Sequence, residues 1–157
     1  MIEEYLLRLE KNLMVGSARW VADFRESFRG YQVEGARFDM MVRGGMKAKG
    51  FLLSRLFSFL VMPNYQVACF VYSQDLEANA LRNLVKGLLE HIKEIGVDWA
   101  WLVIPKEGGF PHNIQRLVES IDYRELGIAL VDVTSQEIVN SSSYVGKRMR
   151  DHVKCFR

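Results

Sequence analysis

The sequence has few of the residues that define the special classes of small protein. Its 157 residues include only two cysteines and three prolines. Cys69 and Cys155 are too few for the disulfide framework of a small secreted domain, and no CxxC spacing indicates a zinc site or a redox pair. The cysteine count therefore favours a reducing, cytoplasmic location and predicts no bound metal.

Long apolar runs and the features of a signal peptide are also missing. The longest apolar stretch, Phe51 to Met62, contains Arg55 and is shorter than the roughly 20 residues that a membrane-spanning helix needs. Residues 1–12 carry acids where a signal peptide carries basic residues. We therefore expect neither secretion nor membrane insertion.

Basic and acidic residues are nearly equal in number. The 21 Lys and Arg residues face 19 Asp and Glu residues, which gives a formal net charge of +2 at pH 7. So small an excess does not by itself indicate nucleic-acid binding. The sequence also lacks GxGxxG, GxxxxGK[ST], HExxH and GxSxG. It therefore predicts no cofactor and leaves open whether the chain is an enzyme.

The second half of the sequence contains a regular alternation of strands and helices. Three apolar runs, Gln66–Ser73, Val97–Ile104 and Gly127–Val133, recur about every thirty residues. Between the first two runs the apolar residues keep helical spacing: Leu81, Leu84, Val85, Leu88, Leu89, Ile92 and Ile95. Strand, amphipathic helix and strand are typical of a βαβ unit with parallel strands. Runs that are apolar at nearly every position are typical of strands covered on both faces.

Shorter patterns predict the remaining elements. Residues 2–14 have the spacing of an amphipathic helix, and the spacing of Ala18, Val21, Phe24 and Phe28 predicts a second helix that ends near Gly30. Alternation around residues 38–42 predicts a strand that ends at Gly44-Gly45. Residues 46–62 fit a helix or a strand, and Pro63-Asn64 predict a turn.

The last part of the chain completes the predicted fold. Residues 114–121 fit a short helix, residues 137–139 a short strand, and residues 144–156 a last helix with Val145, Met149 and Val153 on its apolar side. We therefore predict a single α/β domain over residues 1–157. Its mixed or parallel central sheet has four to five strands, with helices on both faces.

This succession resembles the restriction-endonuclease-like superfamily, also called the PD-(D/E)XK nuclease fold, from residue 1 to about residue 133. The matching elements are a helix that bears acids, the strand segment Phe38-Asp39-Met40-Met41-Val42, a second apolar strand, a long helix, the strand Val97–Pro105, a short helix and Gly127–Asp132. The resemblance implies an Asp on one strand and an acid-X-Lys on the next, which together hold a divalent metal at a phosphodiester. Carboxylate oxygens are the ligands that Mg²⁺ prefers.

Only half of that catalytic pattern is present in this sequence. Asp39 matches the first acid and is the candidate catalytic residue. The next strand, Gln66–Ser73, has neither a carboxylate nor a lysine. The resemblance therefore predicts a degenerate active site. The alternative for Asp39 is an exposed strand position or an ion pair with Arg37 or Arg43.

Basic residues form two groups that are candidates for nucleic-acid binding. The first is in the last helix and comprises Lys147, Arg148, Arg150 and Lys154, of which Lys147, Arg150 and Lys154 share one side. The second comprises Arg43, Lys47 and Lys49, on either side of the Gly44-Gly45 turn. Both groups suit phosphate contacts. The alternative for the last helix is ordinary solvated charge near a helix C-terminus.

Three functions follow from these observations. The leading hypothesis is a nucleic-acid-associated protein with a nuclease-like core that binds without cutting. The alternative is a structural or regulatory interaction subunit without nucleic-acid binding, whose apolar segment 51–62 packs against a copy of itself or another protein. We expect a homo-oligomer on the strength of that segment. A third reading is a small-molecule site in the loop 105–112, at the end of a parallel strand.

Overall fold

The computed structural model describes residues 1–16, 23–46 and 65–156 of the chain. Over these residues the chain forms helices and strands in the following order: α1 (Ile2–Val15), β1 (Asp23–Val33), β2 (Ala36–Met46), β3 (Tyr65–Val71), α2 (Ala78–Glu94), β4 (Trp99–Lys106), α3 (His112–Ser120), β5 (Leu126–Asp132), β6 (Glu137–Asn140) and α4 (Tyr144–Val153). The α/β class is confirmed, and the single sheet has six strands where four to five were expected.

The sheet is mixed, and its strands lie side by side in sequence order. β1, β2 and β3 form an antiparallel meander. β3, β4 and β5 are parallel, and β6 returns antiparallel to β5. Parallel neighbours require crossover connections, which α2 and α3 supply. The βαβ rhythm of the sequence therefore corresponds to the centre of the sheet.

Helices cover both faces of the sheet and create two cores. The first core lies under α1 and α4 and contains Leu9, Cys69, Trp101 and Met149. The second core lies under α2 and α3 and contains Phe70, Leu88, Leu102, Ile114 and Val118. Successive residues of β3, β4 and β5 point alternately into the two cores, because the side chains of a strand alternate between its faces. Strands buried on both sides must be apolar throughout, as these are.

The second predicted helix is wrong, because residues 23–33 form the strand β1. Phe24 is buried in the first core, whereas Phe28 is 44% exposed and contacts Tyr31 on the other side of the sheet. The register shifts between Phe24 and Glu26, which marks a β-bulge. The four-residue spacing of the two phenylalanines therefore does not indicate a shared helical face.

A tight turn joins β1 to β2 and accounts for the hairpin. Val33 pairs with Ala36, and the two residues between them, Glu34 and Gly35, have φ angles of +43° and +83°. Positive φ at both central positions is the mark of a type I′ turn, which suits the right-handed twist of a two-stranded ribbon. The sequence Val33-Glu34-Gly35-Ala36 therefore favours this hairpin.

Several expectations fall on residues outside the described part of the chain. These are the positions of Ala18 and Val21, the helix or strand over residues 47–62, and the turn at Pro63-Asn64. Within the residues that are described, no helix is both long enough and apolar enough to cross a membrane.

Candidate nucleic-acid interface

Helix α4 carries the larger of the two basic groups, and its first turn is fixed by local chemistry. Ser143 is the N-cap residue, and its Oγ accepts a hydrogen bond from the backbone N–H of Gly146 at 3.0 Å. This side-chain cap satisfies one of the amides that a helix start leaves without a partner. Ser143 therefore fixes where α4 begins.

Two glycines let α4 lie directly on the sheet. A Cβ atom at Gly127 of β5 would lie 2.8 Å from the backbone nitrogen of Gly146 and 2.9 Å from Sδ of Met149. Only a residue without a side chain fits at such a crossing. Met149 and Val153 are fully buried beneath the helix. The apolar side of α4 therefore faces the first core, as predicted, and its polar side faces solvent.

The C-terminal end of α4 is held by three side chains of α1. Tyr5 Oη donates to the carbonyl oxygen of Val153 at 2.8 Å, and Asn12 Nδ2 donates to that of His152 at 2.7 Å. Arg8 Nη1 donates to the carbonyl oxygen of Phe156 at 2.6 Å. Helix ends leave carbonyl groups without partners inside the helix. Here α1 supplies donors to the carbonyl groups of the last two residues of α4, His152 and Val153, and to that of Phe156 beyond the helix.

All four basic residues of the first predicted group are exposed: Lys147, Arg148 and Arg150 in α4, and Lys154 directly after its last residue. Two of them have polar neighbours, since Arg150 Nη1 donates to Oδ1 of Asn140 at 3.2 Å and Lys154 Nζ lies 3.7 Å from the Asp151 carboxylate. The Arg148 guanidinium lies over the ring of Tyr144, with its central carbon 5.8 Å from the ring centroid. The predicted stripe is therefore a surface of exposed cations with one carboxylate among them.

His152 adds no charge to this surface at neutral pH. Its ring stacks on Trp101 with the ring centroids 5.8 Å apart. Burial lowers the pKa of His152, the Asp151 carboxylate opposes this shift, and the Arg148 guanidinium contributes to it. An imidazole whose pKa lies below its usual value near 6.5 is neutral at pH 7. The positive charge of α4 thus comes from its lysines and arginines.

The candidate catalytic residue Asp39 lies elsewhere, in β2 at the end of its pairing with β3. Its neighbours Phe38 and Met40 belong to opposite cores, so the alternation of side chains breaks at Asp39. The partly buried carboxylate accepts a hydrogen bond from the backbone N–H of Ser73 at 2.7 Å. Asp39 therefore continues the β2–β3 pairing through its side chain, and it makes no ion pair with a described residue.

The surroundings of Asp39 do not fit the metal site that the resemblance implies. β3 contributes no acid and no lysine beside it. Within residues 1–16, 23–46 and 65–156, no three His, Cys, Asp or Glu side chains are grouped so that they could hold a metal ion. Mg²⁺ requires near-octahedral oxygen coordination. A single carboxylate that already accepts a backbone hydrogen bond does not supply it.

Arg43, the one member of the second predicted basic group within the described residues, does not lie with the basic residues of α4. Arg43 Nη2 donates to the carbonyl oxygen of Ile95 at 3.0 Å, at the C-terminal end of α2. This contact lies on the face of the sheet opposite to α4 and stabilises a helix end. Lys47 and Lys49 lie outside the described residues.

The loop 105–112 borders a cavity of about 20 Å³ that is lined by Asp75, Lys106, Phe110 and Pro111, among others. Lys106 Nζ lies 3.5 Å from Oδ1 of Asp75 and 5.9 Å from the centroid of the Phe110 ring. A cavity of this volume holds about one water molecule, and small-molecule sites are typically some 300–1,000 Å³. Pro111 also lines an open groove of about 410 Å³, together with Glu77 and Asn113. A small-molecule site at this loop therefore stays a prediction.

Sequence reasoning missed three exposed residues near α4. Tyr144 is its first residue and is 75% exposed, and Tyr123 in the loop before β5 is 42% exposed. Arg124 is exposed beside Tyr123. The exposure of Tyr144 could have been predicted from the sequence. It directly follows the N-cap serine and does not belong to the apolar side formed by Val145, Met149 and Val153.

Comparison with known proteins supplies no relative for this arrangement. No protein family, no curated protein and no solved structure matches the chain. The functional interpretation therefore depends on the geometry and the charges described above.

Proposed function

We propose that the protein binds nucleic acid through α4 and does not cleave it. The observation that carries this proposal is the concentration of positive charge. Residues 147–154 contain four cations and one carboxylate and so carry +3. The whole chain carries +2, so the remainder carries −1. Lysine and arginine gathered on one exposed face provide the electrostatic basis of phosphate binding.

The position of these cations along the helix also favours a binding role. Lys147 and Arg148 are the fourth and fifth of the ten residues of α4, in its N-terminal half. The helix dipole stabilises cations near the C-terminus and disfavours them near the N-terminus. Residues in this half of the helix are far from its C-terminal carbonyls, so neither the dipole nor C-terminal capping accounts for Lys147 and Arg148. Contacts with an external anion give them a role.

The order of elements supports a nuclease-like core for this binding protein. The described chain runs α1, β1, β2, β3, α2 and β4, with Asp39 on β2 and the next strand directly beside it. The resemblance to the restriction-endonuclease-like superfamily was based on this order without β1, and it remains part of the proposal. The missing acid and lysine of β3, and the backbone contact of Asp39, favour binding without metal-dependent cleavage.

The test is the salt dependence of DNA binding, measured by fluorescence anisotropy with a labelled oligonucleotide in about 50–200 mM salt. Each neutralised phosphate releases counterions, so three contacts give a slope of log affinity against log salt of roughly −2.7 on duplex DNA. The triple variant Lys147→Gln, Arg150→Gln, Lys154→Gln should bind more weakly and with a flatter slope. Its apolar face is unchanged, so circular dichroism should match the wild type.

A matched control is available on the opposite face of the sheet. Arg82, Lys86 and Lys93 are exposed on α2, and their replacement by Gln removes the same charge. The control variant should keep wild-type slope and most of the affinity. Equal losses in both variants would show only a general effect of net charge. If wild type and both variants fail to bind, the interaction-subunit alternative replaces this proposal.

A further inference from the structure

Two exposed tyrosines, one at the start of α4 and one in the loop before β5, are not explained by phosphate contacts alone. Tyr144 is 75% exposed and Tyr123 is 42% exposed. A single exposed aromatic ring is ordinary on a protein surface. Aromatic rings interleaved with cations are the combination by which proteins bind single-stranded nucleic acid, with bases stacked on the rings and phosphates near the cations.

The fold holds the segments that carry these tyrosines together. The backbone N–H and the Oγ of Ser142 both donate to the carbonyl oxygen of Ile121, each at 3.1 Å. Tyr123 follows Ile121 by two residues, and Tyr144 follows Ser142 by two residues. Both segments lie where β5 begins and β6 ends, since Ala129 pairs with Asn140. The two rings therefore belong to one end of the sheet.

Cations lie within the same two segments. Arg124 follows Tyr123, and Lys147 and Arg148 lie one helical turn beyond Tyr144; all three are exposed. The loop also carries the exposed carboxylate of Asp122 and the partly buried one of Glu125, so three cations face two acids there. This charge balance suits a phosphate backbone that passes between the loop and the helix.

The Tyr144 ring is oriented by a neighbour on its own helix. Arg148 lies four residues later, and its guanidinium covers the ring at 5.8 Å from the centroid. With three quarters of the residue still exposed, the guanidinium holds the ring while most of its surface faces solvent. A ring held in this way provides a platform on which a base can stack.

Building on the α4 surface proposed above, we propose that Tyr144 and Tyr123 stack on bases, so that the preferred ligand is single-stranded nucleic acid. The bases of a duplex are stacked on one another, whereas those of a single strand have accessible faces. The cations then set the salt dependence, and the tyrosines set the preference for single strands.

The test compares a labelled oligothymidine with a duplex of equal length under the same salt conditions. Wild type should bind the single strand more tightly. Tyr144→Ala should weaken single-strand binding on the order of tenfold, which corresponds to the loss of one stacked base. Duplex affinity and the salt slope should change less than about twofold, because the phosphate contacts remain. Tyr144→Phe, which keeps the ring, should bind like wild type.

Tyr65 provides the matched control, since it is 42% exposed at the start of β3 and Tyr65→Ala should leave binding unchanged. Ultraviolet crosslinking of an iodouracil-containing strand should label the peptide that contains Tyr144. Tighter duplex binding, or an unchanged single-strand affinity in Tyr144→Ala, would overturn the stacking proposal and leave nucleic-acid binding by α4 intact. If wild type binds neither ligand, the proposed function fails and the stacking proposal fails with it.

Discussion

Tyr5 and Val153 join the first and last described helices through a buried hydrogen bond, in which Tyr5 Oη donates to the Val153 carbonyl oxygen at 2.8 Å. The two residues are separated by 148 positions in the sequence. The contact lies in the first core, where the Tyr5 ring also stacks on Phe156 with the centroids 6.0 Å apart. It connects the position of α4, and therefore of the basic surface, to the N-terminal helix.

Removing only this hydroxyl should destabilise the fold. Tyr5→Phe keeps the ring and its packing but loses one buried hydrogen bond, so we expect a free energy of unfolding lower by about 1 kcal/mol. The loss stays modest because Cys155 N–H also donates to the Val153 carbonyl, at 2.9 Å. Urea denaturation measures the change. Tyr144→Phe removes an exposed hydroxyl and should alter stability by less than about 0.5 kcal/mol; equal losses in both variants would contradict the role of the buried contact.

Asp39 should be a structural residue and not a metal ligand. We expect no Mg²⁺-dependent cleavage of single-stranded or duplex DNA by wild type. Asp39→Ala leaves the Ser73 N–H without its acceptor and should lower the free energy of unfolding by roughly 1–2 kcal/mol, whereas Asp39→Asn retains an acceptor oxygen and should cost less. Cleavage by purified wild type that Asp39→Ala abolishes would contradict this assignment.

The sequence predicted elements well where one local pattern determined burial. The runs that became β3, β4 and β5 are apolar at nearly every position because both cores need them, and the period of α2 reflects contact with one core only. It failed at β1, where the four-residue spacing of Phe24 and Phe28 resembles a helix, whereas a bulge after Phe24 places the two rings on opposite sides of the sheet. Such a bulge depends on pairing with β2, so local periodicity does not contain it.

The candidate site was predictable only in part, because some of its features also depend on contacts between distant residues. The spacing of Met149 and Val153 defines the apolar side of α4. Because that side is buried, the cations on the rest of the helix are exposed. The hydrogen bond from Ser73 to Asp39, and that from Arg43 to the end of α2, join residues more than thirty positions apart. The combination of Tyr123 with Tyr144 likewise depends on the contact between Ser142 and Ile121. Contacts of this kind arise from tertiary packing and leave no periodic signal.

Two glycines in helices should respond oppositely to alanine. A Cβ at Gly146 would overlap Ser141 Oγ and lie 2.5 Å from the Ser141 carbonyl oxygen, and that hydroxyl is itself held by Ile128 N–H. Gly146→Ala should therefore destabilise the fold by about 1–3 kcal/mol through overpacking. A Cβ at Gly87 meets only the flexible Glu34 carboxylate, at 3.5 Å. Gly87→Ala should stabilise the protein by roughly 0.5–1 kcal/mol through helix propensity.

Thermal or urea unfolding of the two glycine variants, side by side, tests this contrast. Because both substitutions add one methyl group to a helix, intrinsic propensity alone would move both variants in the stabilising direction. A stabilised Gly146→Ala variant would therefore show that the first turn of α4 does not lie as close to Ser141 as this contact requires.

The apolar segment 51–62 should mediate self-association. It lies outside the described residues, and the expectation comes from its sequence, which contains Phe51, Leu52, Leu53, Leu56, Phe57, Phe59 and Leu60. Large apolar patches are rare on the surface of monomers, so some of these side chains should be buried between subunits. We expect a homodimer at micromolar concentration by light scattering. A monomeric mass throughout that range would exclude it.

The two thiols should be unreactive in the folded protein. Cys69 and Cys155 are both free and buried in the first core. Burial raises the pKa of Cys155 to about 11, despite the opposing effects of Asn12 and Arg8, and burial raises the pKa of Cys69 well above its usual range. Since the thiolate is the reactive form, reaction of Cys155 with a disulfide reagent at pH 8 should be slower by roughly two orders of magnitude than for an exposed cysteine.

The measurement counts reactive thiols before and after unfolding. In native buffer neither cysteine should react within minutes, and in guanidinium chloride both should, with Cys69→Ala and Cys155→Ala assigning each signal. Folding raises the pKa of each thiol. The resulting stabilisation is fully present below the unfolded-state pKa near 8.5, and it is lost as the pH rises toward the folded-state pKa. Wild type should therefore lose stability above about pH 8.5, and the double alanine variant should lose less. Rapid native labelling of Cys155 would show that the end of α4 detaches from α1.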